Sequence, residues 1–346
     1  MAAHPNPSNI SPSKEASQVD FLRRQFRVSP PAVSAADVDL KGKTAIITGG
    51  NSGLGFYSAT ELLSLGLGRL IITARDEAKG KAAVDALFAK RPSGTSVEVW
   101  PLNLSDYGSI TSFVERVKTL DRLDIIIQNA AAFAVEFRIN PNTKHEDMFQ
   151  VNYLSNALLS ILLLLVLKAK KAKTPARVVL VNSETAAWGK FKERNSTPIF
   201  DAFDKKPSSF DFQDRYYTSK LLCQLFVVEL TKRVPPSVAV ITLVNPGFCW
   251  GSGLHHEVSG ITSSILTGVK RVIGRSSVVG ARTLTDAAVN HGEEVHGQYL
   301  GDCKLKPLAP LIYKPEGAKL AEKLWGETMA ELAPFKASEV VAEVSS

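Results

Sequence analysis

The stretch DRYYTSK, Asp214 to Lys220, carries the residue types best suited to chemistry in this chain. On a helix, a lysine three or four positions after a tyrosine lies on the same face as the phenol. A phenol is a poor acid at neutral pH, and moving its pKa from about 10 toward 7 takes about 4 kcal/mol. A lysine cation at about 4 Å, in an effective dielectric of about 20, supplies energy of that order. The pair could therefore deliver a proton to a developing alkoxide, or it could be the solvated start of a helix. Tyr216 and Tyr217 both stand within reach of Lys220, and spacing does not choose between them.

A second chemical signal lies near the start. TGGNSGLG, Thr48 to Gly55, follows an apolar run and opens a helical pattern. In that position Gly49, Gly53 and Gly55 allow a tight turn and close approach of the backbone to a pyrophosphate. Asn51, Ser52 and Leu54 complete a loop leading to a helix N-terminus, whose free N–H groups attract an anion. The loop lacks the Gly-Lys-Ser/Thr ending of a nucleoside-triphosphate P-loop. After the next strand comes ITARDEAKG. A cation at the end of this strand suits a ribose 2′-phosphate, whereas a carboxylate suits a free 2′-hydroxyl. Arg75 stands at that point, with Lys79 as a second candidate, and Asp76 reads as the N-cap of the following helix. The pattern favours NADP(H) over NAD(H).

The elements that must position these residues alternate. TAIITG, RLIITA, SVEVWPLNL, LDIIIQNA, ARVVLVNS and VAVITLVNP are short strand-like runs, separated by helical patterns such as DEAKGKAAVDALFAK and SDYGSITSFVERVKTL. Ser105 or Asp106 caps the latter. This rhythm implies one α/β domain: a doubly wound, mostly parallel sheet covered by helices on both faces. The Pro/Ser-rich start predicts a disordered tail over 1–37, a domain over 38–335 and a flexible tail over 336–346. Substrate loops are expected at about 185–213 and 248–276. Their aromatic residues Trp188, Phe191, Phe248 and Trp250 belong either to the core or to an apolar pocket mouth.

Composition excludes several classes. The 346 residues are 45% hydrophobic and 22% charged, with a formal net charge of +7 spread along the chain, so a nucleic-acid partner has little support. Cys223, Cys249 and Cys303 are widely spaced and indicate neither a disulfide framework nor a zinc site, and the histidines His255 and His256 read as solvent-facing. The first twenty residues lack a signal-peptide core. The most apolar run, Ala157 to Leu167, is short for a membrane span and reads as a buried helix, with a subunit interface as one use of it. Lys168 to Lys173 would cap that helix. A cytoplasmic setting, no clear membrane anchor and a possible homodimer are the expectations.

TGGNSGLG, QNAA, VN, VNS, YYTSK and NPG occur in the order found in the short-chain dehydrogenase/reductase family, which the chain resembles over roughly residues 40–330. NSGLG, ITARDEAKG and the late HGQYLGDCKLKPLAP are similar to the retinol-dehydrogenase-like and WW-domain-oxidoreductase-like branch in its fungal form. The resemblance implies a Rossmann-type fold, a small-molecule carbonyl or alcohol substrate, and NADP(H) as cofactor. It places the general acid at Tyr216, its lysine at Lys220, the carbonyl-binding serine at Ser183, and at Asn152 an asparagine holding a proton-relay water. Asn103 and Leu104 would meet the adenine, Asn129 would support the sheet beside the cofactor, Tyr216 and Lys220 would also reach the nicotinamide ribose, and Asn245, Pro246 and Gly247 would line the nicotinamide. Three positions depart from the family pattern: Ala131 replaces a glycine, Asn103 an aspartate, and Ser252 arrives one residue late for the nicotinamide loop. The resemblance suggests a carbonyl reductase of an apolar small molecule, in the setting of secondary metabolism. An NAD-linked alcohol dehydrogenase and a cofactor-binding sensor without turnover are the alternatives.

Overall fold

The computed structural model describes residues 4–89, 94–170, 174–252 and 271–346. Six apolar runs form parallel strands: β1 (Thr44–Ile47), β2 (Arg69–Ala74), β3 (Ser96–Pro101), β4 (Ile125–Gln128), β5 (Ala176–Val181) and β6 (Ala239–Asn245). A short parallel pair, β7 (Cys249–Trp250) and β8 (Arg275–Ser276), stands apart. The main sheet is extended by β9 (Tyr299–Gly301), parallel to β6, and closed by the antiparallel edge strand β10 (Lys304–Lys306). Its order is β10-β9-β6-β5-β4-β1-β2-β3. The chain leaves β1 in one direction through β2 and β3, then returns to β4 on the other side, so the carboxyl ends of β1 and β4 flank the crevice where such sheets bind ligands.

The continuous apolar character of the strands has a direct cause, because both faces are buried. Along β1, Ala45 and Ile47 join one core with Leu62, Leu63 and Leu284, while Ile46 joins the opposite core with Ile126, Leu158 and Ile241. The helices, in chain order, are α1 (Pro12–Glu15), α2 (Gln18–Arg27), α3 (Gly53–Ser64), α4 (Glu77–Phe88), α5 (Tyr107–Lys118), α6 (Asp147–Phe149), α7 (Ser155–Lys170), α8 (Ile199–Asp204), α9 (Phe212–Thr231), α10 (Ser277–Val289), α11 (Pro315–Glu331) and α12 (Ala337–Ser345). A π-helical turn, Gln150–Leu154, joins α6 to α7. Asp106, rather than Ser105, caps α5, accepting the Gly108 N–H at 2.8 Å.

Within both expected tails the described residues include helices. Residues 11–28 form α1 and α2 and dock on the domain, with Trp188 Nε1 donating to the Ala16 carbonyl at 2.8 Å and the Phe21 ring edge-on to Trp188 at 5.4 Å. The Pro/Ser composition that suggested disorder supplies helix starts instead, since Pro12 sits in the first turn of α1 where a missing N–H costs nothing. At the other end α12 buries Val340, Val341 and Val344 against α7. Asp147–Lys170 is long and apolar enough to cross a membrane, yet 83% of its most apolar window is buried inside this chain. The face expected at a subunit interface is thus covered by the chain itself. The loop over 185–213 is built around α8 and two 3-10 turns, and Phe191 is fully buried beside Phe203, so it belongs to the core and not to a pocket mouth. Residues 253–270 of the second expected loop, with His255 and His256, and Lys171 to Lys173 lie outside the described residues.

Candidate active site

The glycine loop is shaped by close approaches that side chains would block. Gly49 and Gly53 have φ of 63° and 54°, the left-handed region that favours glycine. A Cβ on Gly55 would stand 2.6 Å from the Gly49 carbonyl oxygen. Asn129, at the end of β4, secures the loop: its Nδ2 donates to the carbonyls of Thr48 and Gly49 at 3.0 and 3.2 Å, and the Thr48 hydroxyl accepts the N–H groups of Asn129 and Ala130. Ser52, the N-cap of α3, makes no side-chain capping bond. The helix start is therefore left to an external acceptor, and the α3 dipole favours an anion there.

At the end of β2, Arg75 is exposed. Asp76 is the N-cap of α4, accepting the Lys79 N–H at 3.0 Å, so this carboxylate is committed to its own helix. The Lys79 ammonium stands 4.0 Å from it, with both side chains largely exposed. Asn103 Oδ1 accepts the Ser105 N–H at 3.1 Å, fixing the turn after β3, and the Leu104 side chain is buried in the core.

The expected catalytic residues converge from three elements. Lys220, buried on α9, donates from Nζ to the Val181 carbonyl at 3.0 Å, two residues before Ser183. The same ammonium stands 5.7 Å from the centroid of the Tyr216 ring. Tyr217 turns elsewhere, edge-on to Trp188 at 5.8 Å. Ser183 Oγ caps the 3-10 turn Glu184–Trp188, accepting from the Thr185 N–H at 3.2 Å and the Thr185 hydroxyl at 2.9 Å. Its own hydroxyl proton remains free to donate. Asn152, in the π turn, bonds both ways to the Ala132 backbone, at 2.7 and 2.9 Å, and donates to Ser219 Oγ at 3.1 Å. Its carbonyl accepts from Cys223 Sγ at 3.1 Å and Asn156 Nδ2 at 3.4 Å. Those contacts use both side-chain amide hydrogens, so Asn152 clamps the segment after β4 to α9.

Electrostatics in the protein differ from the simple lysine–tyrosine expectation. Burial, first, and then Cys223 and Tyr217 hold the Tyr216 phenol above its ordinary value. Burial pulls the Lys220 ammonium below its ordinary value, opposed by Cys223. Both groups are pushed toward their neutral forms. In the protein alone, then, the phenol keeps its proton instead of losing it more readily.

The segment after β6 faces the glycine loop. A Cβ on Gly53 would stand 2.4 Å from the Ser252 carbonyl, which places the Ser252 backbone against the α3 start. Gly247, at φ 77°, makes the turn after Pro246, with its N–H donating to Asn245 Oδ1 at 3.0 Å.

Comparison with known proteins agrees with this arrangement. The short chain dehydrogenase family model matches residues 43–193. Short-chain dehydrogenase fogG of Aspergillus ruber is 48% identical over 339 residues, covering 96% of this chain and 97% of the relative. The chain belongs to the short-chain dehydrogenase/reductase family. Short chain dehydrogenase/reductase mfmJ of Annulohypoxylon moriforme is 42% identical, with 90% of each chain covered. Among solved structures, a 3-oxoacyl (acyl-carrier-protein) reductase of Agrobacterium tumefaciens with NADP bound aligns with a TM-score of 0.58 at 17% identity, over 78% of this chain and 96% of that one, a likeness of fold.

As a short-chain dehydrogenase/reductase the chain is an oxidoreductase, and its site uses several residues that sequence reasoning passed over. Asn182 accepts from Gln224 Nε2 at 3.1 Å and donates to the Lys220 carbonyl at 2.9 Å, tying the end of β5 to α9. Thr185 sets the Ser183 hydroxyl, and Thr48 sets the glycine loop. A signal existed for Thr185, because Ser-x-Thr after a strand is an ST-turn pattern. None existed for Asn182, whose partners are 38 and 42 residues away.

Proposed function

We propose that this oxidoreductase is an NADP(H)-dependent reductase of a carbonyl on an apolar, aromatic small molecule, a tailoring step in secondary metabolism. The observation that carries the reading is the placement of Lys220 Nζ at once under the Tyr216 ring and on the Val181 carbonyl beside Ser183. It gathers a proton donor, a cation and a hydroxyl donor at the mouth of the β5 strand.

The residues present fit a dinucleotide. The Gly49–Gly55 loop is packed too closely on its neighbours to admit side chains, and the α3 start, which the Ser52 side chain does not cap, would face the pyrophosphate. Arg75, unencumbered by Asp76, suits a 2′-phosphate, with Lys79 near it. Asn103 would meet the adenine end, whereas Leu104, its side chain in the core and its carbonyl taken by Ser155 Oγ, offers that end no side chain; Tyr216 and Lys220 would meet the nicotinamide ribose, and Pro246, Gly247 and Ser252 the nicotinamide end. When bound, the cofactor supplies the hydride. The protein would supply the proton: the Tyr216 phenol, held protonated by burial, stands beside the Lys220 ammonium, whose charge would favour the phenolate formed as the proton moves to the substrate oxygen. Ser183, its lone pairs taken by Thr185, turns its O–H toward the same oxygen and stabilises that charge. Lys220 offsets the phenolate left behind.

The aromatic surroundings of Tyr216 support this substrate class. Its ring meets Phe133 edge-on at 5.4 Å, and Phe133 meets Phe212 at 5.7 Å. Trp188 and Tyr217 continue this aromatic wall. Flat rings suit a flat, apolar ligand. Oxidation of NADPH by the full chain against a panel of aromatic ketones, aldehydes and quinones tests the reading. Saturable turnover supports it, and NADPH binding with no turnover across the panel would favour a cofactor-binding sensor.

A further inference from the structure

We propose that the N-terminal helix α2 is a working part of the active site, in which Arg24 and Gln25 are positioning residues that fix the two turns on either side of the reaction centre. The proposal rests on the reductase reading for its kinetic consequence, but its structural content stands independently of it.

Arg24 reaches the turn that carries Ser183. Its guanidinium donates to Glu184 Oε2 at 2.7 Å, pairs with Glu15 Oε2 at 3.3 Å, and donates to the Glu15 carbonyl at 3.2 Å. The Arg24, Glu184 and Glu15 side chains are only 14%, 10% and 12% exposed. Glu184 directly follows Ser183 and opens the 3-10 turn that Ser183 caps. A carboxylate buried at that point needs a cation, and α2 provides it from 160 residues away. Gln25, on the next residue, reaches the other turn. Its Nε2 donates to the Phe248 carbonyl at 2.9 Å and its Oε1 accepts the Phe248 N–H at 3.3 Å, a two-point clamp on the backbone that follows Pro246 and Gly247. A Cβ on Gly247 would stand 2.7 Å from Gln25 Oε1, so the glycine is what lets the turn approach the helix.

The rest of the contact matches these two residues in kind. Glu15 also pairs with Lys306 at 3.4 Å; Lys306 stands 4.0 Å from Asp302, which pairs with Arg275 at 2.9 Å. The network thus holds three cations and three carboxylates, two of the six from the N-terminal segment. An aromatic series runs from the same helix to the reacting tyrosine: Phe21 against Trp188, Trp188 against Tyr217, and Tyr217 against Tyr216 at 6.4 Å. Helix α2 thus touches both turns and the aromatic wall, while none of its contacts named here reaches the glycine loop.

The test uses the full chain and three variants, Arg24→Met, Arg24→Lys and Gln25→Ala. Hydrogen exchange is followed by mass spectrometry in segments 182–190 and 245–252, with 44–64 as the internal reference. The kinetic probe is 9,10-phenanthrenequinone with NADPH, alongside a direct NADPH titration. The expected result is faster exchange in 182–190 for Arg24→Met and in 245–252 for Gln25→Ala, with 44–64 unchanged. The kcat should fall on the order of 10-fold or more, since a misplacement of about 1 Å costs on the order of 100-fold. In Arg24→Met, whose turn does not meet the glycine loop, NADPH affinity should stay within about threefold, and Arg24→Lys should recover much of the loss because it restores the cation. Should Arg24→Met not fold, Arg24→Lys and Gln25→Ala carry the same comparison. Unchanged exchange in both segments overturns the proposal, as does faster exchange with undiminished kcat. If the parent chain binds NADPH but turns over no probe, the reductase reading fails alone, and the exchange pattern still decides whether α2 fixes the two turns.

Discussion

At the scale of single residues, Tyr216 and Tyr217 are distinguished by what each ring meets. Both project near the lysine on an ideal helix, but Trp188 arrives from a distant turn to meet Tyr217, leaving Tyr216 beside Lys220. In the chain alone, burial acts on tyrosine and lysine together and favours both neutral forms. Asp76 caps its own helix, its carboxylate accepting the Lys79 N–H. Under the NADP(H) reading proposed above, Arg75 would discriminate between cofactors. Arg75→Glu should weaken NADPH binding by about 10-fold or more, consistent with loss of one charge-assisted contact of about 1.5–3 kcal/mol and added repulsion, while NADH binding changes little. Fluorescence titration of both cofactors checks it, and equal losses for the two would remove Arg75 from that role.

At the scale of elements, the sheet was legible because each strand is a short apolar run buried on both faces, a pattern set by adjacent residues. The N-terminal helices were not legible, because what holds them lies 160 to 291 residues away in Glu184, Phe248 and Lys306. The segment before the π turn shows a similar long-range tie. His145 Nδ1 lies 2.7 Å from Asp204 of α8, and Nε2 lies 3.0 Å from Glu331 of α11. Burial alone would lower its pKa, but the two carboxylates outweigh burial and push it up to about 9. A folded value raised above the unfolded one gives stability that is complete below about 6.5 and is lost as pH rises through about 9. The contribution is on the order of 1–2 kcal/mol after discount for solvent screening. Chemical denaturation at pH 6, 7.5 and 9 should show the parent chain weakening across this window and His145→Asn following it much less. A His145→Asn variant with the same pH slope would assign the effect to other groups.

At the scale of the whole molecule, the apolar run of α7 was readable as a buried helix, but what covers it was not. In this chain the cover is its own C-terminal helix α12, which the sequence presents as a flexible tail because nine residues with two glutamates carry too little local signal. The full chain should therefore run as a monomer in light scattering, whereas a chain ending at residue 335 should self-associate through the uncovered α7 face. A truncated chain that stays monomeric would mean that α12 covers nothing adhesive. Fold, cofactor cradle and proton donor meet in one claim, that Tyr216 beside Lys220 donates the proton for NADPH-dependent carbonyl reduction. The direct measurement is loss of nicotinamide absorbance with a reducible aromatic carbonyl, compared among the parent chain, Tyr216→Phe and Tyr217→Phe. Tyr216→Phe should lose turnover by about 100-fold or more and still bind NADPH, with Tyr217→Phe retaining most of it; turnover preserved in Tyr216→Phe and lost in Tyr217→Phe would contradict the account.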